Sequence, residues 1–93
     1  MAHLVYKLSD VMNCRVCGMR QDDPPWGFSQ EDPAYLICPC CGVEFGYEDC
    51  TSAGINQYRD RWLAGGAEWF EPKCKPVDWD LETQLEGIPA RFR

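Results

Sequence analysis

Two short stretches constrain this chain more than anything else in it: Cys14-Arg15-Val16-Cys17-Gly18 and Cys38-Pro39-Cys40-Cys41-Gly42. Each holds two cysteines three positions apart with glycine directly after. That is the form of a tight turn aiming two thiolates at one point, while glycine takes a positive φ that a larger residue resists. Two such turns supply four sulfurs, the full complement of a closed structural Zn²⁺ site with Cys14, Cys17, Cys38 and Cys41 as ligands. Iron fits the same all-sulfur tetrahedron, so the spacing names the ligands and leaves zinc or iron open. A pairing of Cys38 with Cys40 is more cramped, and Gly42 stands where the glycine after a ligating Cys41 belongs. Cys40 is therefore read as an outward-facing thiol.

At 93 residues the chain has room for one domain, 1–93, with little margin for folding on its apolar core alone. Seven cysteines are an odd number, which argues against a fully paired disulfide framework. Met1 to Asp10 mixes apolar residues with His3, Lys7 and Ser9, so it forms neither a signal-peptide core nor a membrane span. The expected location is the cytoplasm, where reduced thiols favour metal ligation over crosslinking. The net charge of -6 becomes about two units more negative once four thiolates hold one Zn²⁺. An acidic body repels phosphate backbones at long range.

Alternation in residues 3–13 suggests a short strand into the first turn, although Asp10 to Met12 could equally begin a helical turn. Prolines and acidic residues between the turns exclude a helix there and point to a loop that returns as a hairpin through Ala34-Tyr35-Leu36-Ile37. Trp26 and Phe28 are expected to cover one side of the metal turns. Residues 43–49 alternate as a half-buried strand does, and Glu44, Glu48 and Asp49 read as a solvated acidic face. Thr51 or Ser52 caps a helix whose apolar positions Ile55, Tyr58 and Trp62 run until Gly65-Gly66. A proline-punctuated extended stretch comes next, then a short helix capped by Asp78 or Asp80 with Leu81 and Leu85 on one face, and a frayed tail from Ala90. Together these give a small metal-bound α+β fold: a zinc ribbon with a three-stranded antiparallel β-sheet over about 10–50, and one or two helices in a C-terminal extension over about 51–93.

The residues offer little for catalysis. No histidine base, phosphate loop or nucleophile elbow occurs in a motif, and the glycine-terminated turns lack the helix that a redox Cys-x-x-Cys opens, so a non-enzymatic module is expected. Its partner is expected to be another protein, because the net charge is acidic and aromatics are more abundant than a ribbon needs. Two alternatives stand beside it. Arg59, Arg61, Lys73, Lys75, Arg91 and Arg93, interleaved with aromatics, would suit single-stranded nucleic acid. Cys40, beside the metal thiolates, would suit a thiol redox or zinc-relay protein. Cys50 and Cys74 have no partner motif, although the chain after the helix could return one toward the other. A second metal site there would need His3 or Asp49.

The run Tyr35 to Asp49, with Cys14-Arg15-Val16-Cys17-Gly18 upstream, resembles the small bacterial cysteine-rich CPCC proteins and kindred zinc-ribbon proteins of unassigned role. Tyr58 to Leu63 and Trp69-Phe70 resemble the segment after the ribbon in such proteins. The resemblance implies the same four ligands and, since some CPCC proteins are thought to act as immunity proteins against toxins, a toxin-binding surface. The chain departs from the pattern in having Arg15 where related first turns often have proline, and in carrying the CPCC text in its second turn.

Overall fold

The computed structural model describes residues 8–93, so the strand expected from residue 3 lies partly outside the described residues. The two cysteine turns are the same structure repeated 24 residues apart. In the first, Gly18 N–H donates to the Cys14 carbonyl (3.0 Å) and Cys14 N–H to Met19 (2.9 Å); in the second, Gly42 donates to Cys38 (2.9 Å) and Cys38 to Val43 (2.9 Å). Each is sealed by one antiparallel bridge, Asn13 with Arg20 and Ile37 with Glu44.

Those two are isolated bridges, and the expected three-stranded zinc-ribbon sheet is not there: among the described residues no β-strand forms. The reasons are local. Helix α1, Ser9–Met12, runs straight into the first knuckle where a strand was expected. After the bridge at Arg20 the chain meets Pro24-Pro25, which have no N–H to offer a ladder. On the second knuckle, Tyr35 at φ 56° breaks extension on one side and Gly46 at φ 95° on the other. The alternation in 43–49 is real only where Val43 and Phe45 are buried with Glu44 between them.

Helix α2, Ser52–Ala64, forms as expected: the Thr51 hydroxyl accepts from Gly54 N–H (3.0 Å), and Ile55 and Trp62 are buried. Its end is a Schellman turn, with Ala67 N–H bonded to the Trp62 carbonyl (2.9 Å) and Gly66 N–H to Leu63 (3.0 Å). The chain then returns along the second knuckle, where Phe70 and Glu71 N–H donate to the Cys40 and Pro39 carbonyls at 2.8 and 2.9 Å. A 3₁₀ turn, Pro72–Cys74, leads to helix α3, Leu81–Leu85, capped by the Asp80 carboxylate. The tail is docked, not frayed: Ala90–Phe92 form a second 3₁₀ turn, and Phe92 packs on the core.

Arg15, at the proline-like position of the first knuckle, is 7% exposed. Its guanidinium lies between the rings of Trp26 (4.0 Å) and Phe92 (4.4 Å). Trp26 in turn donates to the Asp49 carboxylate (2.8 Å), which also accepts from Gly46 N–H (2.7 Å). Asp49 is therefore fully buried and not part of a solvated face. Phe28, expected beside Trp26 over the knuckles, is 77% exposed.

Gly18 sits at φ 85° with α3 packed directly on it: a Cβ there would run into the Gln84 carbonyl and stand 2.8 Å from Ile88 N. Gly66, at φ 96°, has only a flexible Glu68 carbon at 3.9 Å. Alanine at Gly66 should cost about 1–2 kcal/mol for the left-handed backbone alone. Gly18→Ala should cost roughly 1–3 kcal/mol beyond that, because backbone must move. Denaturant midpoints of the two variants measure the difference, and equal losses would mean that α3 does not pack on the knuckle as described.

Candidate metal centre

The knuckles face one another and bring the sulfurs of Cys14, Cys17, Cys38 and Cys41 within 4.8 Å of one another. Two of the edges, Cys14 to Cys41 and Cys17 to Cys38, are 3.7 Å. A tetrahedron with metal–sulfur bonds of about 2.3 Å has edges of about 3.8 Å, so the donor set fits a tetrahedral thiophilic ion in size as well as in chemistry. Cys14, Cys17 and Cys38 are fully buried and Cys41 is 6% exposed, so the four sulfurs are shielded from solvent.

Protons and charge cannot be shared evenly among four crowded sulfurs. Burial pushes the Cys17 and Cys41 thiols well above the ordinary range. Hydrogen bonds from Cys14, Cys17 and Cys41 hold Cys38 far below it. The four sulfurs would all ionise on holding a divalent cation, which would tie binding to proton release.

Polar groups around the sulfurs and their turns come from the first knuckle and from α2. Val16 N–H donates to Cys14 Sγ (3.4 Å) and Gln21 Nε2 to Cys38 Sγ (3.5 Å). Tyr58 donates to the Cys41 carbonyl (3.1 Å), and burial together with the nearby Cys41 sulfur raises its hydroxyl to about 12. Arg59 on α2 donates to the Val16 (2.6 Å), Arg15 (2.7 Å) and Phe92 (2.7 Å) carbonyls, bringing a cation alongside the first knuckle.

Cys40 departs from its expected place. It is fully buried, with Gln84 Nε2 donating to its sulfur at 3.0 Å, because the returning segment and α3 close over the second knuckle. It stands outside the four-sulfur group. A buried thiol does not have the exposure that a redox or relay role requires. Cys50 and Cys74 are both exposed, and neither belongs to a metal-holding group among the described residues; His3 lies outside them.

Several basic residues expected to form a nucleic-acid strip are engaged within the chain. Besides Arg59, Arg91 donates to the Gln30 side chain (2.6 Å), Arg93 to the Ile88 carbonyl (3.0 Å), and Lys75 lies over the Trp79 ring (5.1 Å). Sequence reasoning missed Arg15, Asp49, Arg59 and Gln84, whose roles depend on contacts distant in the chain. Only Arg15, as the departure from the proline-containing turn, carried a signal that could have drawn notice.

No family model matches the chain, so its resemblance to the CPCC proteins rests on the cysteine-turn residues themselves. No solved structure matches it either. The chain is similar to two uncharacterised proteins of Bacillus subtilis (strain 168). It is 27% identical to YoaQ over 81 residues, covering 71% of this chain and 69% of that protein. To YozI it is 25% identical over 81 residues, covering 70% and 67%. The chain is thus related to bacterial proteins of unassigned function and brings four cysteines together in a set compatible with a metal site.

Proposed function

We propose that this chain is a non-enzymatic module whose fold is held by one Zn²⁺ on Cys14, Cys17, Cys38 and Cys41, and that it works by binding another protein in the cytoplasm. The observation that carries the reading is the closed, buried four-sulfur group. A structural zinc would neutralise charge and fix the two knuckles relative to each other; with no open coordination position it would not activate water. Among the described residues no helix is long and apolar enough to cross a membrane. Neutralising a toxin, as the resemblance to CPCC proteins implies, is one form such binding would take.

The test separates the four sulfurs from the fifth. Protein purified under reducing conditions should carry one zinc per chain by elemental analysis, Cys40→Ala should keep it, and Cys41→Ala should lose it. Retention by Cys41→Ala together with loss by Cys40→Ala would reassign the ligand set. Absence of any stoichiometric metal would remove the basis for the module.

A further inference from the structure

From Gln21 to Tyr58 the chain contains seven acidic residues and not one lysine or arginine. The whole chain has fifteen acidic against nine basic residues, so this middle stretch carries a net charge of -7 and the remainder is close to neutral. The same stretch exposes large apolar side chains. Tyr35 (64%), Leu36 (61%), Ile37 (48%) and Tyr47 (74%) all stand in solvent. They are neighbours in space as well as in sequence. Phe45 N–H donates to the Leu36 carbonyl (2.9 Å), and the Tyr35 ring lies across Gly46, its Cε1 2.9 Å from where a Cβ would stand.

The backbone beneath this surface is unusual in two ways. Tyr35 is held at φ 56°, a conformation costly for a bulky residue, and its side chain is nevertheless left mostly in water. Ile37 and Glu44 form the non-hydrogen-bonded pair of their bridge, because the flanking bonds are Cys38 N–H to Val43 and Phe45 N–H to Leu36. The Ile37 N–H and C=O therefore point away from Glu44 and present a short open edge. Glu44 stands directly opposite Ile37, and Glu31 and Asp32 are both exposed just before Tyr35.

We propose that the tip formed by Tyr35–Ile37 and Glu44–Tyr47 is the docking surface of the module, and that its occupant is a basic protein segment with alternating apolar side chains, laid along the Ile37 edge. This rests on the reading of the chain as a metal-held interaction module and adds where it binds and what chemistry it selects. The apolar side chains supply contact area, the edge offers main-chain pairing, and the carboxylates of Glu31, Asp32 and Glu44 attract lysine and arginine. The same carboxylates repel anionic partners, nucleic acid included.

The test uses zinc-loaded full-length protein and a short synthetic peptide of alternating lysine and leucine. An alternating glutamate–leucine peptide and a single-stranded RNA oligonucleotide serve as comparators. The lysine–leucine peptide should bind in a salt-dependent manner and the other two should not. The double variants Glu31→Lys/Glu44→Lys and Leu36→Ser/Tyr47→Ser should each weaken binding roughly tenfold or more. Glu68→Lys/Glu82→Lys, which changes net charge equally outside the acidic stretch, should leave it close to unchanged. Equal weakening by both charge reversals would reduce the effect to overall charge and overturn the proposal. So would RNA binding lost with the tip variants, or no peptide binding at low salt. Zinc content and circular dichroism of the same samples distinguish the two levels: a loaded, folded protein that ignores the peptide refutes the docking surface alone, whereas a folded protein without metal refutes the module beneath it.

Discussion

Excess chelator under reducing conditions should unfold this protein, and one equivalent of Zn²⁺ should refold it. The size of the effect comes from the make-up of the core. Five of the twelve residues in the buried cluster are cysteines, the others being Val16, Val43, Phe45, Ile55, Trp62, Ala67 and Trp69. Sulfurs packed within 4.8 Å without a cation must share protons in a dry environment that disfavours charge. Nor does a sheet hold the knuckles in place, since each is closed by a single bridge. A structural zinc contributes an apparent 10–16 kcal/mol, about the entire stability of a typical domain at roughly 5–15 kcal/mol. Far-ultraviolet circular dichroism should therefore lose the α2 signal on chelation and recover it on titration with zinc. A stripped sample that melts at the same temperature as the loaded one would show that the remaining apolar core suffices, and the proposed role of the metal would fall.

The sequence made the knuckles legible because the determinants are adjacent: two cysteines, their spacing, and a glycine whose positive φ is local. Helix α2 was legible for a similar reason, with cap, apolar positions and stop all within one stretch. The sheet was misread because alternation over two or three residues looks the same whether a strand continues or gives way to a turn. Here Pro24-Pro25, Tyr35 and Gly46 end each arm almost at once. Cys40 and Asp49 were misread for a different reason. Their burial is imposed from afar, by Phe70 and Gln84 over Cys40 and by Trp26 over Asp49. No pattern near either residue announces that cover. The tail was misread likewise: Ala90-Arg91-Phe92-Arg93 has no local reason to be ordered, yet the Phe92 ring and carbonyl meet Arg15 and Arg59.

Replacing Arg59 should remove a large part of the stability of the fold. Its planar guanidinium joins three parts of the chain: the helix that carries it, the backbone between Cys14 and Cys17 through the Arg15 and Val16 carbonyls, and the C-terminal turn through Phe92. A charged donor to a neutral acceptor contributes about 1.5–3 kcal/mol, and three such bonds lost together leave partly buried carbonyls without donors. The cation also stands near the sulfur cluster, whose four thiolates would outweigh one divalent ion by two negative charges; Cys14, Cys17 and Cys41 all act on Arg59 to favour its charged form against the desolvation that lowers it. Arg59→Met, which keeps the length and removes both charge and donors, should therefore cost roughly 3–5 kcal/mol in denaturant unfolding at fixed free zinc. It should also weaken zinc retention against a competing chelator, since the first knuckle loses its brace. Arg59→Lys separates the two contributions. An ammonium keeps the charge but cannot span three carbonyls in the plane of a fork, so it should recover less than half of the stability loss and more of the zinc retention. Full recovery by lysine would assign the effect to charge alone, and a Met variant within about 1 kcal/mol of the parent would show that the three bonds do not hold the C-terminal turn to the knuckle.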